Sequence, residues 1–173
     1  MDDTEFREQI VALLPRMRRF AYTLTSNRED ADDLVQAACE RALSRKHQWQ
    51  PGSSLASWVF RIIYTQRIDA TRSQRSRKVH LPLEDQTLKT AGSRNREKME
   101  AGIMLRQVFE SMARLSESDR AVLGLVCIEG LSYKESAATL GVAVGTVMSR
   151  LSRARQRLHK RVHAKEAQTL ERL

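Results

Sequence analysis

The sequence is poor in the residues on which catalytic, metal-binding and secreted proteins depend. Its 173 residues include only two cysteines, seven glycines and three prolines. Two lone cysteines supply neither a disulfide framework nor zinc-ligand spacing, and Cys39 and Cys127 each lie in an apolar helical pattern that predicts burial. The four histidines lie in basic or loop segments without ligand spacing, and no serine lies in a nucleophile motif. We therefore expect no enzyme activity, no metal and no other cofactor.

Long apolar runs are also missing, so we expect no insertion into a membrane. The first residues include Asp2, Asp3 and Glu5 and lack the basic and then apolar pattern of a signal peptide, which predicts a cytoplasmic location. The net charge of +9 favours a polyanionic partner, either nucleic acid or an acidic membrane surface. The membrane is the weaker choice, because the basic helices have ordinary core faces rather than faces of exposed large apolar residues.

Apolar residues recur at helical spacing through most of the first half of the chain. They predict one helix over residues 6–24, in which Pro15 introduces a kink or a break. A second helix is expected over 28–46 after an Asn27 cap, and a third over 55–77. Three helices with this much apolar surface can close a small bundle.

The second half of the chain follows a stretch without periodicity, which Pro82 and Gly92 mark as a linker that leaves the domain orientation free. Helical spacing resumes near Met104, and Ser132 with Glu135 three residues later has the pattern of a capping box. The predicted fold is all-α, with two small helical domains joined by a flexible linker. The expected bounds are 1–78 for the first domain, 79–97 for the linker, 98–165 for the second domain and 166–173 for a polar tail.

The segment 132–163 has the pattern of a helix-turn-helix. Two helical patterns flank a break at Gly141, and glycine adopts the positive φ of a helix end without steric cost. Two short helices joined by a tight, glycine-containing turn are typical of this motif. The apolar face of the second helix comprises Val144, Val147, Leu151, Ala154 and Leu158.

The second of these helices carries charge of one sign, because no acidic residue occurs between Glu135 and Glu166. A helix that is merely solvated usually mixes charges, whereas one that meets phosphates gains from cations alone. Its N-terminal half is the part expected in the major groove, where arginine pairs best with guanine. The side chains there that lie off the apolar face are Thr146, Met148, Ser149, Arg150, Ser152 and Arg153. The alternative is a basic surface helix of an ordinary bundle.

Four ordered motifs give the chain a resemblance to a known family. They are ADDLVQAACERAL at 31–43, GSSLASWVFRII at 52–63, LSESDRAVLGL at 115–125 and SYKESAATLGVAVGTVMSRLSRARQRL at 132–158. Together they resemble the extracytoplasmic function (ECF) sigma factors of bacterial RNA polymerase. The PGSS turn and the run 141–158 are most similar to the alphaproteobacterial general-stress subgroup.

The resemblance implies two domains, sigma regions 2 and 4, that bind core RNA polymerase. It places region 2 on the clamp helices of the β′ subunit and region 4 on the β flap. The residues carried over as docking candidates on the clamp helices are Asp32, Asp33, Leu34, Val35, Gln36 and Glu40. The acids at the start of this helix also have a sufficient structural explanation, since the helix dipole favours negative charge there. An anti-sigma factor that clamps both domains is a further expected partner.

The resemblance also implies that both domains contact promoter DNA. Region 2 would hold a base flipped out of the −10 element and track that strand; its candidates are Gln48, Trp49, Ser53, Ser54, Arg61, Arg67 and Arg72. Trp49 has two interpretations, packing into the core or stacking on a base. Region 4 would read −35 bases with Met148, Ser149, Ser152 and Arg153, while Thr146, Arg150, Arg155 and Arg157 would lie nearer the phosphates.

The sequence departs from the family pattern at two positions. Thr65 stands where an asparagine is frequent, and Met148 where lysine or arginine is more usual, so the promoter sequence is not predicted. Two alternatives to promoter-specific initiation stay open. A dimeric helix-turn-helix regulator would need an exposed apolar surface for its second copy. A sigma-like decoy that binds only an anti-sigma factor would have no use for a basic recognition helix.

Overall fold

The chain folds into α-helices throughout the part that the computed structural model describes, which is residues 2–77 and 96–170, with side chains at 2–73 and 105–163. The elements are α1 Asp3–Thr25, α2 Arg28–Ser44, a 3-10 turn Lys46–Gln48, α3 Leu55–Arg77, α4 Arg96–Ala113, α5 Glu117–Leu123, a π-helical turn Gly124–Ile128, α6 Tyr133–Leu140 and α7 Val144–Leu170. No strand occurs in these residues, so the all-α prediction is confirmed. Residues 79–95 of the predicted linker lie outside the described residues.

The helices α1–α3 form the N-terminal bundle. Its core is closed by aromatic packing, with the Phe20 and Phe60 rings 5.2 Å apart between centroids. A kink or a break was predicted at Pro15, and α1 continues through this residue without a break. The helix tolerates this proline because Val11, whose carbonyl loses its helical partner, is 62% exposed and lies on the face where water replaces that partner.

The helix ends follow the predicted capping chemistry. The Asn27 side chain accepts a hydrogen bond from the backbone N–H of Asp30 and begins α2. Ser132 and Glu135 form the predicted capping box at the start of α6, and Gly141 ends that helix at φ 66°. Hydrogen bonds from Ser132 hold the pKa of Glu135 below its ordinary value. The two caps of α6 set the position of the turn that leads into α7.

The helices α4–α7 form the C-terminal bundle, which packs directly against the N-terminal bundle. The π-helical turn brings backbone close to α1: a Cβ on Gly124 would lie 3.0 Å from Thr23 Cγ2 and 3.1 Å from Phe20 Cδ2. On the next face, Tyr22 and Phe109 rings pack edge to face at 5.5 Å. The two bundles therefore have a defined relative orientation, which the linker pattern alone left free.

Arg120 ties the C-terminal bundle to the end of α1. Its guanidinium donates to the carbonyls of Ala113 and Leu115, at 3.0 and 2.9 Å, and to the carbonyl of Leu24 at 2.8 Å. Burial lowers the pKa of Arg120 from its ordinary value, and the charge of nearby Glu117 opposes that shift. A cation between three carbonyls replaces water at the point where the two bundles meet.

Glu129 pairs with two arginines of the other bundle. Its side chain is 0% exposed, and its carboxylate accepts from Arg16 Nε at 2.8 Å and from Arg19 Nε at 3.1 Å. Arg16 also donates to the Glu129 carbonyl at 3.0 Å. Because the turn places Glu129 N–H on the Gly124 carbonyl five residues earlier, at 2.9 Å, the side chain faces α1.

Replacing Glu129 by glutamine should lower the free energy of unfolding by roughly 2 kcal/mol. The substitution keeps the shape of the side chain but removes the charge that two arginines meet, and such charged hydrogen bonds contribute about 1.5–3 kcal/mol each. Urea unfolding followed by circular dichroism measures the change.

The matched control is Glu110→Gln, which removes a partly exposed carboxylate paired with Arg106 at 3.0 Å within α4. We expect it to cost less than about 0.5 kcal/mol. Equal losses in the two variants would show that the Glu129 contact does not hold the bundles together.

Candidate nucleic-acid interface

The first four turns of α7 carry the candidate site for duplex DNA. Val147, Leu151 and Ala154 are buried and seat this helix on its bundle. The tight turn after Gly141 fixes where α7 begins, with the Ala143 carbonyl accepting from the N–H groups of Thr146 and Val147 at 3.0 and 3.2 Å. A helix fixed along one side in this way presents its opposite side to solvent.

The outward side of α7 brings the predicted −35 residues together. Met148, Ser149, Ser152 and Arg153 are exposed, and Thr146 and Arg150 are half-buried at its edges. Two of these side chains bond to their own helix, Ser149 Oγ to the Thr146 carbonyl at 3.1 Å and Arg153 Nε to the Ser149 carbonyl at 3.2 Å. The surface therefore offers hydroxyl and guanidinium donors and no acid, as base edges and phosphates require. Contact with DNA itself stays a prediction.

Two arginines further along α7 bond within the protein. Arg157 Nη1 lies 2.6 Å from Oδ2 of Asp119, a nearly buried carboxylate of α5. Arg155 Nη2 lies 3.4 Å from Cys127 Sγ. Arg157 thus has a structural role in holding α7 to α5, which the sequence pattern alone did not separate from phosphate binding.

Two residues of this region lie where the sequence pattern did not place them. Cys127 is exposed, because the π-helical turn adds one residue to the helical register and rotates this position outward. Val144, predicted on the apolar face of α7, is 41% exposed because it is the first residue of the helix, a turn before the buried stripe begins at Val147. Cys39 is half-buried.

The residues predicted to contact the −10 strand lie around the start of α3 and along it. Gln48, Ser53, Arg61 and Arg72 are exposed. Ser54 Oγ accepts from the Ser57 N–H at 3.2 Å and so caps α3. Trp49 is half-buried, with its ring centroid 6.2 Å from that of Phe6, which favours its packing role.

Arg67 differs from the other arginines of α3. Its side chain is mostly buried, and its Nε lies 3.4 Å from Oε2 of Glu117 in the C-terminal bundle. Thr71 Oγ1 approaches the same carboxylate oxygen at 3.5 Å. In this arrangement Arg67, which was predicted to contact DNA, is instead paired with a carboxylate of the C-terminal bundle.

Four of the six predicted polymerase-docking residues form an exposed row on α2. Asp32, Asp33, Gln36 and Glu40 are exposed and Leu34 is half-buried, whereas Val35 is 4% exposed and lies in the core. Arg18 pairs with Asp32 at 3.3 Å, and Gln36 donates to Glu40 at 3.2 Å. The row is therefore polar and acidic, and in this arrangement Val35 supports it from beneath.

Other classes of site are not found in the described residues. Among them, no three histidine, cysteine or acidic side chains come together as ligands for a metal ion. No helix in that part of the chain combines the length and the apolar character needed to span a membrane.

Comparison with known proteins gives matches to both bundles. Residues 10–64 match the family described as the Sigma2 domain of PhyR, and residues 105–158 match Sigma-70, region 4. The chain is 35% identical over 153 residues to the ECF RNA polymerase sigma factor EcfG of Rhodopseudomonas palustris, covering 88% of this chain and 82% of that protein. It is 38% identical over 148 residues to the ECF RNA polymerase sigma factor SigE of Mycolicibacterium smegmatis, covering 83% of this chain and 56% of that relative.

A solved structure shares the arrangement of the helices. It is the sigma factor RpoE from Bartonella quintana, in a co-crystal with the anti-sigma factor NepR. The TM-score is 0.75 at 29% identity, and the match covers 92% of this chain and 97% of that one. The similarity thus extends over both bundles rather than over a single motif.

Two arginines of α7 should separate structural from binding roles. Arg157→Ala leaves the nearly buried Asp119 without its charged partner, so we expect a loss of about 1.5–3 kcal/mol in the free energy of unfolding. Arg153→Ala removes an exposed side chain of the same type on the same helix and should change stability by less than about 0.5 kcal/mol. Urea unfolding of both variants measures the difference, and indistinguishable midpoints would contradict the structural role of Arg157.

Proposed function

Because this chain belongs to the ECF family of RNA polymerase sigma factors, we propose that it binds core RNA polymerase and directs promoter-specific initiation of transcription. The observation that carries the proposal is the outward side of α7, where hydroxyl and guanidinium donors lie on a rigid recognition helix without an acid. The similarity of both bundles to sigma factors supports the rest.

The −35 element is read as duplex DNA by the start of α7. Arg153 is exposed and long enough to reach a guanine edge, which presents two acceptors in the major groove. The side chains of Ser149 and Ser152 are shorter, and their hydroxyl groups can hydrogen-bond either a donor or an acceptor on a base edge. The buried stripe of α7 keeps these side chains in register, so one docking event tests several base pairs at once.

The −10 element is captured as a separated strand by the N-terminal bundle. Exposed Arg61 and Arg72 are placed along α3 to follow phosphates, and the loop before α3 presents Gln48 and Ser53 to an unstacked base. Unstacking a base costs a few kcal/mol, and holding it outside the duplex offsets that cost. No bond is made or broken, so the protein acts by selective binding alone.

Core polymerase binds the acidic row on α2, formed by Asp32, Asp33, Gln36 and Glu40, on its β′ clamp helices. These side chains are exposed while the bundles are packed together. Region 4 would bind the β flap. The chain is similar to a sigma factor whose structure was solved in complex with an anti-sigma factor. This similarity supports a small inhibitory protein as a further partner of this chain.

When the two bundles are packed together, contact with the −10 strand is limited because Arg67 is paired with Glu117. For Arg67 to follow phosphates, the C-terminal bundle must release it. Binding of the polymerase, which holds the two domains at separate sites, supplies the free energy for that release. The closed form therefore restricts promoter contacts until the polymerase is bound.

Transcription from a library of random promoters tests the proposed function. Core polymerase supplemented with this protein should yield transcripts whose templates share two elements, one near −35 and one near −10. Sequencing of the transcripts and their templates measures the enrichment. Polymerase without the protein is the control for background initiation.

A variant of α7 tests whether this helix reads the −35 element. In a binding titration of holoenzyme against one enriched promoter, Arg153→Ala should weaken binding by about 1–3 kcal/mol, as expected for the loss of one base-reading arginine. Arg7→Ala removes an equal charge from an exposed position on α1 and should leave binding unchanged. If the protein binds duplex DNA alone but adds no promoter-specific transcript, it is a helix-turn-helix regulator and the proposal is wrong.

A further inference from the structure

Two apolar side chains are exposed at the start of α7. Val144 is 41% exposed and Met148 is 52% exposed. Only six large hydrophobic side chains are exposed among the residues that the structure describes, and these two lie four positions apart on one helix. Residues at this spacing are neighbours on a helix surface, so Val144 and Met148 form one apolar step.

The packing of α7 does not require this step. The helix is seated by Val147, Leu151 and Ala154, which are buried. Val144 lies at the exposed N-terminal end of that stripe, and Met148 lies to one side of it, a helical turn before the exposed Ser152. An apolar step inside a surface of polar and cationic groups is suited to a ligand that is itself mostly polar and anionic but carries an apolar group.

We propose that Val144 and Met148 read thymine in the −35 duplex by contact with its C5-methyl group. This inference rests on the proposed binding of duplex DNA by α7 and specifies which bases it selects. The C5-methyl of thymine is the one methyl group that base edges present in the major groove, where the other bases are distinguished by their hydrogen-bond donors and acceptors. Methionine has no donor to offer a base, but its flexible thioether packs closely against such a group.

The spacing of the two side chains limits where the thymines lie. Neighbouring positions on a helix face are about 5–6 Å apart between Cβ atoms, and successive bases on one strand are about 3.4 Å apart. The distance between the two side chains therefore corresponds to the rise between one base and the next, or the next but one. We expect thymines at two adjacent or nearly adjacent positions of one strand, next to the base pairs that Ser149 and Arg153 contact.

The test replaces each −35 thymine by deoxyuridine, which removes only the methyl group and keeps base pairing. The probe is a promoter from the random library, bound by holoenzyme made from the full chain. With the unmodified protein, deoxyuridine at the contacted positions should weaken binding about three- to fivefold per methyl, the effect of losing one buried methyl group. Val144→Ser and Met148→Gln should each reduce the effect of deoxyuridine to less than about 1.5-fold at the thymine that the replaced side chain contacts.

The matched control is Leu105→Gln, an exposed apolar residue of α4 that is 58% exposed and lies outside α7. This variant should remain fully sensitive to deoxyuridine. All three positions are exposed, so circular dichroism and urea unfolding should show unchanged folding.

The outcomes separate this inference from the proposed function. If the library yields no promoter-specific transcript, the proposed function fails first. If promoters are found but their −35 elements lack thymine, or deoxyuridine leaves binding by the unmodified protein unchanged, the thymine contact alone is wrong. If Val144→Ser and Met148→Gln form holoenzyme and stay fully sensitive to deoxyuridine, the inference is overturned. It is also overturned if the two variants no longer assemble with core polymerase, because the step then binds protein instead of DNA.

Discussion

The side chain of Glu129 is fully buried, and the arrangement of the two bundles depends on the ion pairs that compensate its charge. A carboxylate buried in this way is costly unless cations and hydrogen bonds replace its water. Arg16 and Arg19, one helical turn apart on α1, supply both. The π-helical turn supplies the orientation, because the register of a regular helix would point this residue elsewhere. The contact therefore couples a local irregularity of the C-terminal bundle to the face of α1.

The basic residues divide into those that stabilise the fold and those that are free to bind a partner. Some cations of this protein are held by its own carboxylates: Arg16 and Arg19 by Glu129, Arg67 by Glu117 and Arg157 by Asp119. Others, including Arg61 and Arg153, are exposed. A net charge of +9 thus gives no measure of the surface offered to DNA. The division between held and exposed cations is a property of the folded chain.

Features that depend on neighbours in the sequence were predictable. The Asn27 cap, the capping box of Ser132 and Glu135 and the left-handed Gly141 each arise within a few residues, so the bounds of the helices and the turn before α7 followed from local chemistry. The exposed side of α7 followed from periodicity in the same way. The resemblance to sigma factors, carried by four motifs, agrees with the matches to both bundles.

Features that depend on packing between distant segments were not predictable. Nothing near Glu129 in the sequence indicates that its carboxylate meets two arginines more than a hundred positions away. Cys127 and Val144 were expected to be buried, since periodicity assumes a regular helix that packs along its whole length. The occupation of Arg67 by Glu117 likewise depends on the meeting of the two bundles, which the linker pattern left open.

The account as a whole depends on α7 contacting paired DNA while α3 contacts a separated strand. Site-specific photocrosslinking in a complex of core polymerase, this protein and promoter DNA tests that division most directly. A photoreactive side chain introduced at Ser149 should crosslink to the duplex −35 region, and one introduced at Arg61 to the single-stranded −10 region. Crosslinks from Ser149 to polymerase subunits alone, or from both positions to the same duplex segment, would contradict the account.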